Sequence, residues 1–283
     1  MEYLVDINIA VYNQAPYLET TLESVLSQKT NFPFRLLIGD DCSTDGSVEI
    51  LKNYESRYPN KVKVIYQAKN IGINSPERNG IILLKNSTSK YIALLDGDDY
   101  WVDNFKLQKQ IDFLEKNQRY VGCFHNTVER YDDDELASHL YCNFQAAQSI
   151  NFNDLCFSNI IPTCSVIYRN KLFGELPDWY HKLKMGDWPL HLLNSQFGDF
   201  WYIPKIMGVH RLHKKSSWML QDPEANKKYT LEAYDVMIKE FSGKPELQKQ
   251  LIVAKEYFIH PPKNHSSPSV ARRGINLIKK IIR

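Results

Sequence analysis

Tyr91-Ile-Ala-Leu-Leu-Asp96-Gly97-Asp98-Asp99-Tyr100-Trp101 runs an apolar strand straight into three carboxylates. Like charges crowded at a strand end are costly unless something positive sits among them. Asp96 and Asp98 flank one glycine, so a turn at Gly97 aims both carboxylates into one pocket at the strand's C-terminal end, where open α/β sheets bind ligands. Hard oxygens on so short a tether suit Mg2+ or Mn2+, which keep water and bind through one or two carboxylates plus a substrate's phosphates. Alone, the same tripeptide also reads as an acidic surface turn. Its surroundings decide between the two.

Upstream, Val5 to Val11 reads as a buried strand, and Pro16 suits the first turn of a helix whose face is Leu18, Leu22, Val25 and Leu26. Arg35 to Gly39 is a second strand, ending in Asp40-Asp41; Ser43 or Thr44 can cap the next helix, in which Val48, Leu51 and Tyr54 share a face. Val62 to Tyr66 is a third strand, and a polar helix-like segment from Arg78 to Leu84 leads to the fourth, Tyr91 to Leu95. This alternation predicts βαβ units in a doubly wound, mostly parallel α/β sheet.

Downstream, a helix from about Asp103 to Lys116 carries Leu107, Ile111 and Leu114 on one face, and a strand is expected at Val121 to Phe124. The run Asp132-Asp133-Asp134-Glu135 reads as a solvated loop rather than a second metal site. A strand at Cys164 to Tyr168, a helix opening at Asp187, and two helices between Pro223 and Phe258 follow. After the breaker-rich stretch Pro261 to Pro268, the tail sets Ile275, Ile278 and Ile282 against Arg272, Arg273, Lys279, Lys280 and Arg283. Such a basic amphipathic segment can lie on an anionic membrane surface or pack on its own domain.

Lys and Arg total 35 against 33 Asp and Glu, a net charge of +2, so no global field argues for nucleic acid. The five cysteines, Cys42, Cys123, Cys142, Cys156 and Cys164, are odd in number and lack a CxxC pair, and read as reduced thiols of a cytoplasmic protein. The N-terminus has no signal-peptide pattern, and no apolar run approaches the ~20 residues that span a bilayer. Membrane contact is therefore expected only through the tail, peripherally, at the inner face of a cell membrane.

Four segments now line up: Ile9 to Asn13, Gly39 to Asp45, Asn70-Ile-Gly72 with Arg78-Asn79-Gly80, and Asp96 to Asp99. In order and spacing they resemble the nucleotide-sugar-binding half of family 2 glycosyltransferases of the GT-A fold. Met185-Gly-Asp187-Trp188 and Met207-Gly-Val-His210-Arg211-Leu-His213 resemble the acceptor side of bacterial members that build surface polysaccharides such as lipopolysaccharide and capsule. The resemblance covers roughly residues 4 to 219 and implies a catalytic domain over 1–219, with a donor half at 1–101 and an acceptor half at 102–219. Residues 220–283 would form a helical extension ending in the basic tail.

The resemblance also implies roles. Val11, Tyr12, Asn13, Asp41, Arg78, Asp96, Gly97 and Arg211 would line the nucleotide-sugar pocket, with Asp41 on a uracil base and Asp96 on the ribose. Asp98 and His213 would bind Mn2+ or Mg2+ bridging the donor's phosphates. Arg78 could contact the diphosphate or a neighbouring carboxylate. The chain has Lys214-Lys215-Ser216 where many members have glycine, which puts that loop's shape in question.

Each role has a physical reason of its own. Ionised carboxylates make strong hydrogen bonds to a base N–H and to ribose hydroxyls. A leaving nucleoside diphosphate gains charge that a Lewis acid neutralises. An inverting transfer needs a carboxylate across the pocket to take the acceptor hydroxyl's proton, and Asp187 fits by its motif, although it also reads as a cap for the helix beginning at Trp188. Trp101, Trp179 and Trp188 could stack on sugar faces or belong to the core. The expected reaction moves a hexosyl or N-acetylhexosaminyl group from a nucleotide-sugar, by resemblance a UDP-sugar, to a glycan or lipid-linked acceptor. A nucleotidyltransferase is the alternative among enzymes, but Ala10 to Gln14 lacks the Gly and Lys of a triphosphate loop. A non-catalytic sugar-binding scaffold would be expected to lose carboxylates that this chain keeps.

Overall fold

The computed structural model describes residues 2–72, 75–132, 138–213 and 222–261. The first half alternates as the hydrophobic pattern demands: β1 (Val5–Val11), α1 (Ala15–Leu26), β2 (Phe34–Asp40), α2 (Ser47–Arg57), β3 (Val62–Tyr66), α3 (Asn79–Asn86), β4 (Tyr91–Asp96) and a short β5 (Tyr100–Trp101). After α4 (Lys106–Lys116) come β6 (Tyr120–Tyr131), β7 (His139–Leu140), β8 (Gln148–Ile150), α5 (Phe152–Phe157) and β9 (Ile167–Arg169). Then follow α6 (Asp178–Lys182), α7 (Asp187–Ser195), β10 (Asp199–Leu212), α8 (Pro223–Glu240) and α9 (Pro245–Ile259).

One sheet takes the order β3-β2-β1-β4-β9-β6-β10-β5, with β7 added on β6 and β8 on β10. β3, β2, β1 and β4 are parallel, β9 joins β4 to β6 antiparallel to both, and β6 and β10 are again parallel. Helices cover both faces because each strand sends alternate residues to opposite sides. In β4, Tyr91, Ala93 and Leu95 join Leu18, Leu22, Leu107 and Ile111 of α1 and α4 in one core. Ile92 joins Leu155, Leu190, Tyr234 and Leu251 of α5, α7, α8 and α9 in the other. The Tyr234 hydroxyl also donates to the Cys156 carbonyl at 2.7 Å, fixing α8 to α5.

The doubly wound, mixed α/β sheet is the architecture expected, with four local corrections. Neither Ser43 nor Thr44 caps α2: the helix enters through Gly46 at φ 100°, a left-handed conformation that glycine adopts freely, and Asp45 accepts from the Ser47 N–H at 3.1 Å. The helix expected from Asp103 begins at Lys106, because the Asp103 side chain instead accepts from the Phe105 N–H at 2.8 Å. The strand expected at Cys164 to Tyr168 is a 3-10 turn, Thr163–Ser165, followed by β9. The fourteen-residue β10 has no counterpart in the sequence reading; register shifts between Ile203, Ile206 and Gly208 break the alternation that would have revealed it.

All five cysteines are free, four of them buried. No described helix is long and apolar enough to cross a membrane. Most of the acidic run (133–135), the Lys214-Lys215-Ser216 loop and the basic tail from residue 262 lie outside the described residues.

Candidate active site

Strand register builds the pocket. Val11 pairs with Asp40 and Ala10 with Asp96, so β1, β2 and β4 end level, and their acids emerge along one C-terminal edge. Gly97 makes the tight exit from β4: its N–H donates to the Ala10 carbonyl at 3.0 Å, and a Cβ there would lie 2.3 Å from Gln14 Oε1 and 2.9 Å from Val11 Cγ2. No other residue fits that turn without pushing the exit of β4 away from β1. β5 then pairs antiparallel with β10, Trp101 opposite Gly208 and Tyr100 opposite Val209, which carries His210 to His213 alongside Asp98 and Asp99.

The result is a knot of acids interleaved with cations. His213 Nε2 lies 2.9 Å from Asp98 Oδ2, both side chains largely buried, and the imidazole stacks on Tyr17 at 4.7 Å between ring centroids. The Arg211 N–H donates to Asp99 Oδ1 at 2.9 Å, and its guanidinium donates to the Asp98 carbonyl at 3.1 Å while lying over the rings of Tyr17 and Tyr100. Burial, then the Asp99 and Asp98 charges, push Asp96 well above the usual carboxylate range, and Asp187 adds to the rise. Burial likewise brings Asp99 up to about 7, against the pull of His210. Burial alone would lower His210, but Glu129, Asp99 and Asp96 outweigh it and hold the imidazole at about 9.

His210, quoted within a motif in the sequence reading but given no role, also belongs to this cluster of charges. Cross-strand register sets it opposite Glu129 of β6, 3.4 Å from the carboxylate, and Glu129 in turn sits 2.6 Å from His139. The missing signal was β10 itself: once that strand is known, alternation separates His210 from Arg211 and His213.

The donor set suits a divalent cation. An imidazole nitrogen and a carboxylate oxygen meet at 2.9 Å, and the charges of Asp98 and Asp99 add to the burial that raises the proton affinity of nearby Asp96. Among the described residues no three or more His, Cys, Asp or Glu side chains converge as a ready-made cage. That matches the habit of Mg2+ and Mn2+ to take one or two protein ligands and fill the rest with phosphates and water.

On the far side of the edge, Asp41 receives the Ile71 N–H at 2.7 Å on Oδ1 and the Gly72 N–H at 2.9 Å on Oδ2, so it pins the loop that follows β3. Asn13, at φ 53°, receives the Thr44 N–H on Oδ1 at 2.8 Å and donates its own N–H to Ser43 Oγ at 2.9 Å. Tyr12, between Val11 and Asn13, stays 48% exposed, and its ring is available to a planar ligand. Arg78 is buried, donates to the Leu183 and Met185 carbonyls at 2.9 and 3.4 Å, and lies over Tyr180. These bonds tie the donor-side loop to the segment before Asp187; Arg78 engages main chain there rather than a neighbouring carboxylate.

Asp187 opens α7 as its first residue, while the cap position belongs to Gly186, with no side-chain cap bond. Its carboxylate instead receives Asn159 Nδ2 on Oδ2 at 2.6 Å, with Thr163 Oγ1 3.5 Å from the same oxygen. It is near enough for its charge to add to the rise of Asp96, which sets the start of α7 beside the acid knot. The tryptophans do not line it as sugar platforms: Trp101, Trp179 and Trp188 are 3%, 8% and 4% exposed, and the indoles of Trp101 and Trp188 are bonded to the Cys164 and Leu155 carbonyls.

Comparison with known proteins gives the fold and the family. The uncharacterized protein Rv1520 of Mycobacterium tuberculosis is 31% identical over 208 residues, 73% of this chain, and the chain spans only 58% of that relative's length. The putative teichuronic acid biosynthesis glycosyltransferase TuaG of Bacillus subtilis is 29% identical over 69% of this chain and 73% of its own. Among solved structures, S. aureus TarS 1-349 in complex with UDP-GlcNAc superposes with a TM-score of 0.65 at 17% identity, over 91% of this chain and 73% of that one. The mannosyltransferase PcManGT from Pyrobaculum calidifontis, in complex with GDP-Man and Mn2+, gives 0.65 at 14% identity, over 100% and 81%. These last two share the GT-A fold with the present chain. The model of glycosyl transferase family 2 matches residues 6–176, and the chain belongs to that family.

Proposed function

We propose that this chain is an inverting, metal-dependent glycosyltransferase that moves a hexosyl or N-acetylhexosaminyl group from a UDP-sugar to a hydroxyl of a glycan or lipid-linked acceptor in bacterial surface polysaccharide synthesis. The observation that carries the reading is the Asp98–His213 pair at the end of β4, with Asp96 near enough to feel the charges of Asp98, Asp99 and Asp187. TuaG's name, and the nucleotide-sugars in TarS and PcManGT, support the donor class and the kind of product.

In this reading Tyr12 covers the base, Asn13 and Asp41 shape its pocket, Val11 and Gly97 form the floor, and Asp96 meets the ribose. Arg211 offers its remaining donors to the diphosphate, while Arg78 holds the donor and acceptor loops in register. Asp98 and His213 would hold Mn2+ or Mg2+, which when bound supplies Lewis-acid neutralisation of the leaving diphosphate. Asp187 accepts the proton of the acceptor hydroxyl as its oxygen bonds to the anomeric carbon from the opposite face. The bond from that carbon to the diphosphate oxygen breaks, and its electron pair leaves with the nucleotide.

Residues 1–219 would act as the catalytic domain, working at the cytoplasmic face of the membrane where lipid-linked acceptors are presented. Exposed Ile252, Val253 and Ile259 on α9, leading toward the basic tail, support peripheral contact there. The test is UDP release from UDP-glucose, UDP-galactose and UDP-GlcNAc with Mn2+, using bacterial membrane lipid extract as acceptor. Transfer by the wild type that falls about a hundredfold or more in Asp187→Asn, with donor binding kept, is expected; near-normal turnover in Asp187→Asn removes it as the base.

A further inference from the structure

Asp187 presents an asymmetric carboxylate. Both of its side-chain contacts fall on Oδ2: the Asn159 amide at 2.6 Å and the Thr163 hydroxyl at 3.5 Å. Asn159 is itself fixed from behind. Its main-chain carbonyl receives the Tyr141 hydroxyl at 3.1 Å, and the next two residues, Ile160 and Ile161, are buried in the core. Tyr141 also packs at 6.3 Å against the ring of His210, so one wall of side chains runs from the acid knot to the base. The amide must face Asp187 through its nitrogen, because the alternative orientation would set a carbonyl oxygen against a carboxylate.

We infer that Asn159, assisted by Thr163, is a positioning residue for the transfer: it locks Oδ2 and turns Oδ1 toward the acceptor hydroxyl. A charge-assisted bond to one carboxylate oxygen is stronger than a neutral one, and it is lost with the Asn159 amide. Asp96, Tyr141, Tyr180 and His191 are the titratable groups that feel the charge of Asp187, and the Arg78 guanidinium lies beside Gly186 just before it. The inference rests on Asp187 being the base, and its test separates the two.

Asn159→Ala, Asn159→Asp and Asp187→Asn are measured together in the UDP-release assay, with UDP affinity and thermal melting as controls. Asn159→Ala is expected to lower kcat about tenfold or more at unchanged donor KM and UDP affinity, as for loss of a hydrogen bond to a charged group. The acid limb of its pH–rate profile is expected to move to higher pH, and Asn159→Asp to move it further by setting a second carboxylate against the first. A loss of kcat with the acid limb unmoved, or a kcat within twofold of wild type while Asp187→Asn is inactive, overturns the role of Asn159. Should Asp187→Asn itself turn over normally, the base assignment fails and this inference with it. If Asn159→Ala does not fold, Asn159→Asp carries the same pH readout.

Discussion

Gly97 is where fold and site share one atom's worth of space, so adding a methyl there is a sharp perturbation. The Cβ of Gly97→Ala would stand 2.3 Å from Gln14 Oε1, 2.9 Å from Val11 Cγ2 and 3.2 Å from the Ala10 carbonyl oxygen. Gln14 can swing away, but Val11 is β-branched and 1% exposed, and Ala10 is strand backbone, so relief must come from β4's exit moving outward. Overpacking of this kind costs about 1–3 kcal/mol. The movement also lengthens the Gly97 N–H bond to Ala10 and draws Asp98 from its 2.9 Å contact with His213. Gly80→Ala is the matched control: nothing lies within 4 Å of its Cβ, and it sits in α3, where alanine is favoured by up to about 1 kcal/mol. Urea denaturation and UDP titration of both variants decide the matter. Gly97→Ala should lose stability and bind UDP at least tenfold more weakly, while Gly80→Ala should match or exceed wild-type stability. Gly97→Ala with wild-type midpoint and UDP affinity would refute the geometry of the turn.

Lys106 is fully buried over the Trp101 ring at 4.0 Å, its amine has no hydrogen-bond partner, and burial lowers it from 10.5 to about 7. Between those values the unfolded chain holds the extra proton, so this group's contribution makes stability rise with pH; Lys106→Met should stabilise by about 1–3 kcal/mol at pH 7, with the gain shrinking toward pH 10 in denaturation curves. An unchanged or lowered midpoint at pH 7 would mean that the amine's contact with Trp101 outweighs its burial. Asp41→Asn sets an amide hydrogen against either the Ile71 or the Gly72 N–H, and should raise the donor KM several-fold with little change in melting temperature, because the loop it pins lies at the pocket rim. Equal KM values would show that the loop holds its shape without Asp41.

The first hundred residues were legible because their strands are short, buried and punctuated by acids. Val62–Tyr66 falls where the sequence reading has it, and Asp96 closes a strand whose alternate residues serve two cores. The rest of the chain was less so. β10 carries Pro204 and Lys205 in mid-strand and bends through register shifts, so neither period 2 nor period 3.6 emerges, and His210's partner Glu129 lies eighty-one positions away along the chain. Asn159 lay in the stretch with least pattern; its role depends on a contact across 28 residues that no local spacing encodes. Asp187, by contrast, was singled out by its motif, and the helix cap it could have been belongs to Gly186. The tryptophans left two readings open, because a buried tryptophan and a sugar platform look alike until exposure is known, and exposure settles them as core.

The most direct measurement is a calorimetric titration of the full chain with UDP, once with Mn2+ and once with chelator, repeated on Asp98→Ala. Binding that requires Mn2+ in the wild type and is lost in a folded Asp98→Ala is the expected result. Equal UDP affinity with and without the metal, or in the variant, would contradict the assignment of Asp98 and His213 as the cation's protein ligands.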